Sequence, residues 1–424
     1  MKNSRRKFVK NFASLALGIT IIPRNVIGKG FIAPSDRFNI GVIGLGAQSG
    51  GLIERMSKIS EARIIAGCDV HQKRLNRFRK LIDTEYRKYK IKGVAKTYED
   101  FDKLIENSDI DGIVVSTPDH WHAIPSINAM KAGKHVYCEK PMSHTIQEGR
   151  AMEKIAREYN CILQTGSMQR SRADFRKACE LVRNGYIGKI EKVWIEVGNP
   201  SAECNLPFQE TPDYLNWDRW LGPAPLRSYH DIIVEKGWFP NWRWYREYGG
   251  GILSDWGAHM FDIVQWALDK DHTGPIKYEA PMEPTASRGL VMHYDDGVEV
   301  EHRNFGRGFA VRFFGSKGTL DISRSFLETN PKDLLNVKFK PTDTKLYVSE
   351  SHENDWVTSA KEGSKPICDV EVGHRTATIC HIANLAYEFR RPLNWDPIKE
   401  EFIDDFEANL RRGKQYRKPY ELKI

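Results

Sequence analysis

A glycine-rich turn between an apolar segment and a helix-like segment constrains the fold of this chain most. Residues 38–43 have the composition of a buried strand, and the turn from Gly44 to Gly51 leads into a helical stretch that begins at Leu52. A strand, a glycine turn and a helix in this order suit a pyrophosphate, because N–H groups and the dipole at a helix start favour negative charge. Ser49 stands at the third glycine position of the usual pattern and Gly50 follows it, so the motif departs from that pattern. We predict that the phosphates of a dinucleotide lie against Gly44, Gly46, Ala47 and Gln48; the alternative is a plain turn.

An acidic residue follows the next predicted strand. Residues 61–68 read as that strand, and it ends at Asp69. This is the spacing at which a carboxylate bonds the adenosine ribose hydroxyls of a dinucleotide. Asp69 therefore favours NAD over NADP, because a carboxylate repels a 2′-phosphate, although Arg74 lies close enough to weaken the preference. The alternative is an ordinary surface aspartate.

The rest of the first half alternates between helix-like and strand-like segments. Helices are predicted at 71–89, 100–106, 122–131 and 145–159, and strands at 110–115, 135–138 and 162–164. This rhythm predicts a parallel sheet, and hence a nucleotide-binding domain over residues 36–165. Longer strands follow at 190–197, 298–302 and 309–314, with hairpin signals at 295–297 and 315–318. The fold class is therefore α/β, with this N-terminal nucleotide-binding domain and a C-terminal α+β domain over 166–424 that has an open, largely antiparallel sheet.

The first 30 residues have the composition of an export leader. They hold seven of the 64 Lys and Arg residues and none of the 56 Asp and Glu residues, and an apolar run from Phe12 to Ile22 follows Arg5 and Arg6. This pattern predicts a twin-arginine signal and a periplasmic protein. The alternatives are a disordered start or a membrane anchor, although the run is shorter than the ~20 residues that span a bilayer. Because the rest of the chain is nearly neutral despite the net charge of +8, we expect no nucleic-acid partner.

The cysteines and histidines do not form a disulfide framework or a metal site. The seven cysteines are an odd, scattered set without a Cys-x-x-Cys pair, so they read as buried thiols. Neither the sequence His120-Trp121-His122 nor any other cluster supplies a convincing third metal ligand. We expect no metal.

Two separated motifs carry acid and base chemistry. Lys140, in Glu139-Lys140-Pro141, follows a predicted parallel strand at the end where ligands of such sheets bind. Its ammonium could stabilise developing charge on a substrate oxygen; the alternative is a surface lysine. Asp255 and His259 are four residues apart on a predicted helix after Gly251, so the aspartate could orient the imidazole and favour its protonated form. A structural Asp–His pair is the alternative.

Aromatic residues and arginines concentrate in the second half. Eight of the eleven tryptophans fall between Trp194 and Trp266, several beside arginine. A flat ring next to a hydrogen-bonding fork suits a sugar, although packing between two domains is an equal explanation for any single ring. The candidate substrate residues, each of which could instead serve a salt bridge or packing, are Gln169, Arg170, Arg243, Tyr245 and His374.

These motifs together resemble the glucose-fructose oxidoreductase and inositol dehydrogenase family (Gfo/Idh/MocA) over nearly the whole chain after the leader. The resemblance rests on the glycine turn with Asp69, on Ser116-Thr117-Pro118 followed by His122, on Glu139-Lys140-Pro141, and on Gly249-Gly250-Gly251 before Asp255 and His259. It implies that the N-terminal domain is a Rossmann domain, and that NAD, with NADP as the alternative, binds there with its nicotinamide near Thr117, His122 and Glu139. Pro118 and Lys140 are further cofactor-binding residues. It also implies that Lys140, Asp255 and His259 form a catalytic trio with His259 as the proton shuttle. A dimer or tetramer formed sheet to sheet is a further implication.

The expected function is an exported NAD(P)-dependent oxidoreductase that transfers hydride between a sugar or glycoside ring carbon and a tightly bound nicotinamide. Tight binding is expected because free NAD is scarce outside the cytoplasm. The first alternative is a redox-neutral NAD-dependent glycoside hydrolase or lyase that acts through a keto-sugar intermediate. Enzymes of that kind often depart from Glu-Lys-Pro, which this chain keeps. The second alternative is a sugar-binding protein that uses NAD structurally.

Overall fold

The first half of the chain forms a six-stranded parallel sheet. The computed structural model describes residues 37–235 and 241–423. In sheet order β3-β2-β1-β4-β5-β6 all neighbours are parallel, as predicted. Strand β3 had not been predicted, because its three residues have no apolar run. The strands are β1 (Phe38–Ile43), β2 (Ala62–Cys68), β3 (Lys96–Tyr98), β4 (Gly112–Val115), β5 (His135–Cys138) and β6 (Leu163–Thr165).

Helices connect these strands. The first begins at Ala47, five residues before the predicted start, so most of the glycine-rich turn is helical. Side-chain caps begin two of the others, since Asp100 accepts from the N–H of Asp102 and Thr145 accepts from that of Glu148. The helices are α1 (Ala47–Met56), α2 (Gln72–Lys88), α3 (Phe101–Ile105), α4 (Ala123–Lys131) and α5 (Ile146–Glu158).

The second half contains a nine-stranded sheet in the order β13-β12-β11-β7-β10-β9-β8-β14-β15. Strands β7 and β10 are parallel and the other neighbours are antiparallel, and both predicted hairpins are confirmed, between β9 and β10 and between β11 and β12. The strands are β7 (Ile190–Glu196), β8 (Lys277–Glu279), β9 (Leu290–His293), β10 (Glu299–His302), β11 (Ala310–Gly315), β12 (Gly318–Ser323), β13 (Leu327–Asn330), β14 (Leu393–Asp396) and β15 (Glu401–Phe402).

Three long helices cover one face of this sheet. Helices α6 (Ala173–Arg183), α9 (Gly251–Leu268) and α11 (Val370–Phe389) bury their apolar residues against alternate residues of the strands, such as Val193 and Phe313. The remaining helices are short or lie at the edges: α7 (Trp217–Leu221), α8 (Asp231–Val234), α10 (His352–Glu362) and α12 (Phe406–Leu410). None of the helices in the described residues is long and apolar enough to cross a membrane.

Segments of the second half also complete the core of the first. Trp356 of α10 packs edge-on against Phe38 of β1 and against Tyr137 of β5. Near the C-terminus, Leu422 packs against the apolar core around α4 and α5. The seven cysteines are free and buried, as predicted. Segments of the second half therefore pack directly against the first half. A cavity lies where the two halves meet.

Candidate active site

The cavity lies at the carboxyl ends of β1, β2, β4 and β5, with α9 and the C-terminal segment completing its wall. Its volume is about 460 Å³, within the usual range for a small-molecule site. Ligands of open parallel sheets bind at this end, because the strand order reverses there and leaves a crevice. Predicted site residues in the wall are Gly44, Gly46, Ala47, Gln48, Asp69, Thr117, Pro118, His122, Glu139, Lys140, Arg243, Asp255 and His259.

The two glycines of the turn differ in what surrounds them. Gly44 has a φ of +85°, and a Cβ there would lie 2.7 Å from the backbone of Ser116 and Thr117. A Cβ on Gly46 would have no atom within 4 Å. Helix α1 starts at this point without a side-chain cap and without an acidic residue in its first turn. Open space beside uncapped N–H groups is what an anionic phosphate needs, so the residues present fit a dinucleotide.

These surroundings predict that one alanine variant mainly loses stability and the other mainly loses affinity for nucleotide. Gly44→Ala should lower the free energy of unfolding by at least about 2 kcal/mol, because a side chain is strained at positive φ and would contact backbone. Gly46→Ala should cost less than about 1 kcal/mol but weaken nucleotide binding roughly tenfold (about 1.4 kcal/mol), because the methyl group occupies the open space. Chemical denaturation and nucleotide titration would measure both effects. Equal losses of stability in the two variants would contradict this account.

Asp69 holds the turn in place. Its carboxylate accepts hydrogen bonds from the N–H of Leu45 at 2.7 Å and from the N–H of His71 at 3.0 Å. Arg74 is also in the cavity wall and donates to the carbonyl of Val234 at 2.9 Å. Arg77, which the sequence reasoning missed, donates to the carbonyls of Leu45 and Gly46 at 2.5 and 2.8 Å. The buried Asp69 carboxylate therefore supports the turn and also faces the cavity.

Loops after β4 and β5 form the middle of the wall. The ring nitrogens of His122 lie 2.8 Å from the carbonyl oxygen of Pro141 and 3.0 Å from that of Thr117, so the imidazole lies between the two loops. Burial lowers the pKa of His122 to about 4. Glu139 accepts from the side-chain amide of Gln48 at 2.9 Å, and burial raises its pKa. The Thr117 hydroxyl is buried without a hydrogen-bond partner among the described residues, as expected of a group that faces a ligand.

Lys140 is held by Asp255. Its Nζ donates to the Asp255 side chain at 2.7 Å and to the backbone carbonyl of Asp255 at 2.9 Å. Arg243 Nε donates to the same carboxylate oxygen at 3.3 Å. Burial alone would raise the pKa of Asp255, but Lys140 and Arg243 together hold it below its ordinary value. An ammonium group has three donors, so two bonds to Asp255 leave one N–H of Lys140 for a ligand in the cavity.

His259 does not pair with Asp255, contrary to the sequence-based expectation. Its Nε2 lies 2.9 Å from Nη2 of Arg324, and because a guanidinium can only donate, Nε2 must be the unprotonated nitrogen. Burial, and then the charges of Lys140 and Arg324, lower the pKa of His259 well below its ordinary value. The expected protonated form is therefore replaced by a neutral imidazole, because the carboxylate is engaged by two cations.

The other four candidate substrate residues lie outside the cavity wall. Arg170 is buried in ion pairs with Asp262 at 2.8 Å and with Asp271 at 2.6 Å, which gives it a structural role. His374 is paired with Glu400 at 2.6 Å. Gln169 is buried, and Tyr245 packs in an apolar cluster with Trp242 and Tyr248. The partners of Arg170 and His374 are distant in sequence, so local reasoning could not place them, whereas Tyr245 packs against residues near it in the chain.

Among the wall residues that sequence reasoning missed, three lie close to the trio. Asp119 follows Thr117-Pro118 directly, so its position could have been noticed; burial, and then the charge of Asp255, raise its pKa well above the ordinary value. Trp256 and Arg324 also line the cavity. Arg324 gives no local signal, since it follows β12 in an unremarkable loop. Within the described residues, no group of three or more His, Cys, Asp and Glu side chains could hold a metal ion.

Comparisons with known proteins agree with this architecture. Residues 38–167 match the model of an oxidoreductase family NAD-binding Rossmann fold, and residues 189–422 match the C-terminal alpha/beta domain of the same family. The myo-inositol 2-dehydrogenase of Thermotoga maritima is 33% identical over 232 residues, which is 55% of each chain. A glycosyl hydrolase family 109 protein of Shewanella baltica is 33% identical over 144 residues, 32% of this chain and 31% of that protein. The chain thus spans about half the length of the first relative and about a third of the length of the second.

A solved structure supports the fold. The scyllo-inositol dehydrogenase of Lactobacillus casei, with bound NAD(H) and scyllo-inositol, superimposes with a TM-score of 0.57 over 84% of this chain and 99% of that chain, at 19% identity. The residues that the two family models match contain all strands of both sheets. This chain belongs to the Gfo/Idh/MocA family of oxidoreductases, and its first half is that family's NAD-binding Rossmann domain.

Proposed function

We propose that this protein oxidises a CH–OH group on the ring of a sugar or glycoside, with a nicotinamide dinucleotide as the hydride acceptor. The observation that carries the proposal is the meeting of Lys140, Asp255 and His259 in one cavity with the glycine turn. The dinucleotide, when bound, supplies the hydride-accepting chemistry that no side chain provides. Gly46, Thr117 and Glu139 are the residues that would hold it.

The chain's own residues supply the proton chemistry. The third N–H of Lys140 binds the substrate hydroxyl oxygen and stabilises the negative charge that develops there. His259, which is neutral, removes the hydroxyl proton at Nε2 once that nitrogen is free of Arg324. Asp255 positions Lys140. These roles need no change in the protonation state of the protein before substrate binds.

Retention of the dinucleotide is part of the proposal, and two segments of the second half support it. We call residues 214–235 and 414–423 the clasp. The first segment bonds to the loop after β2, where the N–H of Gln72 donates to the carbonyl of Tyr214 and that of Asn216 to the carbonyl of Val70. In the second segment, Tyr420 packs edge-on against Trp121 with its ring centre 5.4 Å away. The clasp residues in the cavity wall are Arg219, Trp220, Val234, Pro419, Tyr420, Glu421 and Lys423.

Arg417 joins the two segments of the clasp. Its guanidinium donates to the Asp218 carboxylate at 2.5 Å and to the carbonyl of Gly222 at 2.9 Å. Tyr420 donates to the same carboxylate at 2.8 Å. We expect this junction to hold the clasp residues in their places in the cavity wall, and so to slow the release of a bound dinucleotide.

Breaking the junction is therefore expected to speed nucleotide release. Arg417→Ala should raise the release rate of bound nucleotide about tenfold, the equivalent of one charged hydrogen bond of about 1.5 kcal/mol. Lys418→Ala is the matched control, because that neighbouring side chain is 87% exposed. The rate is measured by diluting loaded protein into excess labelled NAD and counting what exchanges. Equal rates in the two variants would argue against the clasp.

Export through the twin-arginine route is also proposed, from the pattern of residues 1–30, which lie outside the described residues. A retained nucleotide suits this route, because an exported enzyme must carry its cofactor with it. Changing Arg5 and Arg6 to lysine should leave the protein in the cytoplasm of fractionated cells. Unchanged periplasmic recovery would refute this signal.

We further propose a sheet-to-sheet dimer or tetramer. The sheet face opposite the three long helices carries Trp194 and Phe314, whose rings lie 4.5 Å apart, with Arg303 stacked on Trp194. Exposed sheet edges and faces of this kind are usually covered when copies of a chain assemble into an oligomer. Sedimentation that reports a monomer at micromolar concentration would exclude it.

The main experiment is made on the purified protein. Co-purified nucleotide is identified by mass, and reduced nicotinamide absorbance is followed while glucosides, galactosides, disaccharides and inositols are added. A lasting rise in absorbance supports the oxidoreductase. Release of the aglycone without a lasting change would instead favour the redox-neutral hydrolase or lyase. Absence of any bound or bindable nucleotide would overturn the proposal.

A further inference from the structure

Arg324 lies at the rim of the cavity with its guanidinium directed inward. The residue as a whole is exposed, but Nη2 reaches His259 Nε2 at 2.9 Å. The guanidinium carbon lies 4.6 Å from the centre of the Trp256 ring, and Trp256 in turn stacks on Phe309 at 4.0 Å with an interplanar angle of 4°. Stacking on an aromatic face fixes the plane of a guanidinium and leaves its edge donors available.

Arg324 forms no direct ion pair among the described residues, and the carboxylates of Asp255 and Glu139 act on it only from a distance. Among the described residues, no carboxylate oxygen lies within 4.0 Å of its guanidinium nitrogens. Asp255, the acidic member of the trio, already accepts hydrogen bonds from Lys140 and Arg243. Burial of the head group, and then the charge of Arg172, lower the pKa of Arg324. Arg172 is itself paired with Asp174, so its carboxylate partner does not serve Arg324.

We infer that the cavity takes a sugar acid, and that Arg324 binds the carboxylate of that substrate. The inference rests on the proposed function, since it names the substrate class of the same site. A planar guanidinium with free edge donors matches a carboxylate in a two-bond arrangement. Because Arg324 is one hydrogen bond from His259, the carboxylate lies close to the hydroxyl group that reacts.

This arrangement also links recognition of the substrate by Arg324 to the availability of His259 as the general base. Without substrate, the Arg324 N–H occupies the lone pair of His259 Nε2. A carboxylate is a stronger acceptor for a guanidinium than a neutral imidazole, because the hydrogen bond gains from both charges. Binding of the acid therefore draws Arg324 away and leaves Nε2 for the substrate hydroxyl. A neutral sugar provides no such competitor.

The test compares sugars that differ only in the acidic group. Wild-type holoenzyme, Arg324→Gln, Arg324→Lys and Arg303→Gln are assayed with D-glucuronate, D-galacturonate, D-glucose, D-galactose and glucose 6-phosphate. Arg303 is the matched control, because its guanidinium carbon lies 4.3 Å from the Trp194 ring centre and the residue is not in the cavity wall. Binding of the same compounds is measured by calorimetry on His259→Ala protein loaded with NAD, which does not depend on turnover.

We expect the wild type to prefer a uronate over its neutral sugar by about a hundredfold in kcat/KM and in affinity, the range of a charged hydrogen bond. Arg324→Gln should remove this preference, Arg324→Lys should restore part of it, and Arg303→Gln should keep it. Equal use of neutral sugars and uronates, a preference for glucose 6-phosphate, or an unchanged preference in Arg324→Gln would each overturn the inference while leaving the proposed function standing. Binding of no uronate would overturn it too. A protein that binds no nucleotide would contradict the proposed function itself, and this outcome is distinguishable from the others.

Discussion

Replacing His259 by alanine is expected to lower kcat about a thousandfold, the usual contribution of a general base, while the protein keeps its fold and its nucleotide. His259 is a neutral imidazole in the cavity wall, and its Nε2 carries the lone pair. Without it, water must remove the substrate proton. The turnover of protein loaded with nucleotide is measured together with the amount of nucleotide that remains bound.

His302→Gln provides the matched control. His302 is also buried with a pKa lowered by burial, to about 4, but it contacts Tyr387 at 2.8 Å, outside the cavity wall. Its replacement should lower stability and leave turnover of the folded protein within about twofold, because distant sites act independently. Turnover retained by His259→Ala would remove the histidine from the mechanism.

The pH dependence follows from the same histidine. A protonated imidazole has no lone pair, so kcat/KM falls as the pH drops through the pKa of His259 in the free enzyme. Because burial, Lys140 and Arg324 lower that pKa, the fall should occur below about pH 6.5, the ordinary imidazole value. A profile that already falls between pH 8 and pH 7 would show that a different group, or a protonated histidine, controls the reaction.

Replacing Lys140 by methionine is expected to lower kcat by about a hundredfold to a thousandfold, the effect of removing one donor to a developing oxyanion. In the proposed mechanism, the remaining N–H of Lys140 is the donor to the substrate oxygen. Methionine keeps most of the volume of the stem but has no donor. Asp255 keeps its bond to Arg243, so the carboxylate is not left without a cation.

Lys134→Met tests whether loss of any partly buried lysine has this effect. Lys134 is buried and donates to the backbone carbonyls of Asn107 and Ile110 at 3.0 and 2.8 Å, away from the cavity wall. Its replacement should lower the melting temperature with little change in kcat. Similar losses of kcat in the two variants, or a Lys140→Met enzyme as fast as the wild type, would contradict the assigned role.

Local patterns were sufficient for the first half of the fold. Apolar runs and glycine turns predicted five of the six parallel strands and placed Asp69 at the end of β2. The order of segments also predicted that Lys140 follows β5 at the edge where ligands bind. These inferences succeeded because strand identity, turn chemistry and the position of a strand end depend on residues that are neighbours in sequence.

Pairings between side chains were harder to anticipate. The four-residue spacing of Asp255 and His259 places them on one helix face, but two cations from other segments take the carboxylate. Arg170 was a candidate substrate residue, yet two aspartates from distant segments hold its guanidinium in the protein interior. Such competition depends on which charged groups arrive from distant segments, and spacing along one helix does not reveal it.

The sequence by itself determined the family and the Rossmann domain with its glycine turn, and it indicated Lys140, Asp255 and His259 as candidates for acid–base chemistry. Only the tertiary structure decided their partners: Lys140 with Asp255, and His259 with Arg324. It also decided that residues 214–235 and 414–423 contribute to the wall of the same cavity and are joined by Arg417. The reason is physical, since residue types and local periodicity are short-range properties, whereas burial and charge pairing arise only when remote segments pack together.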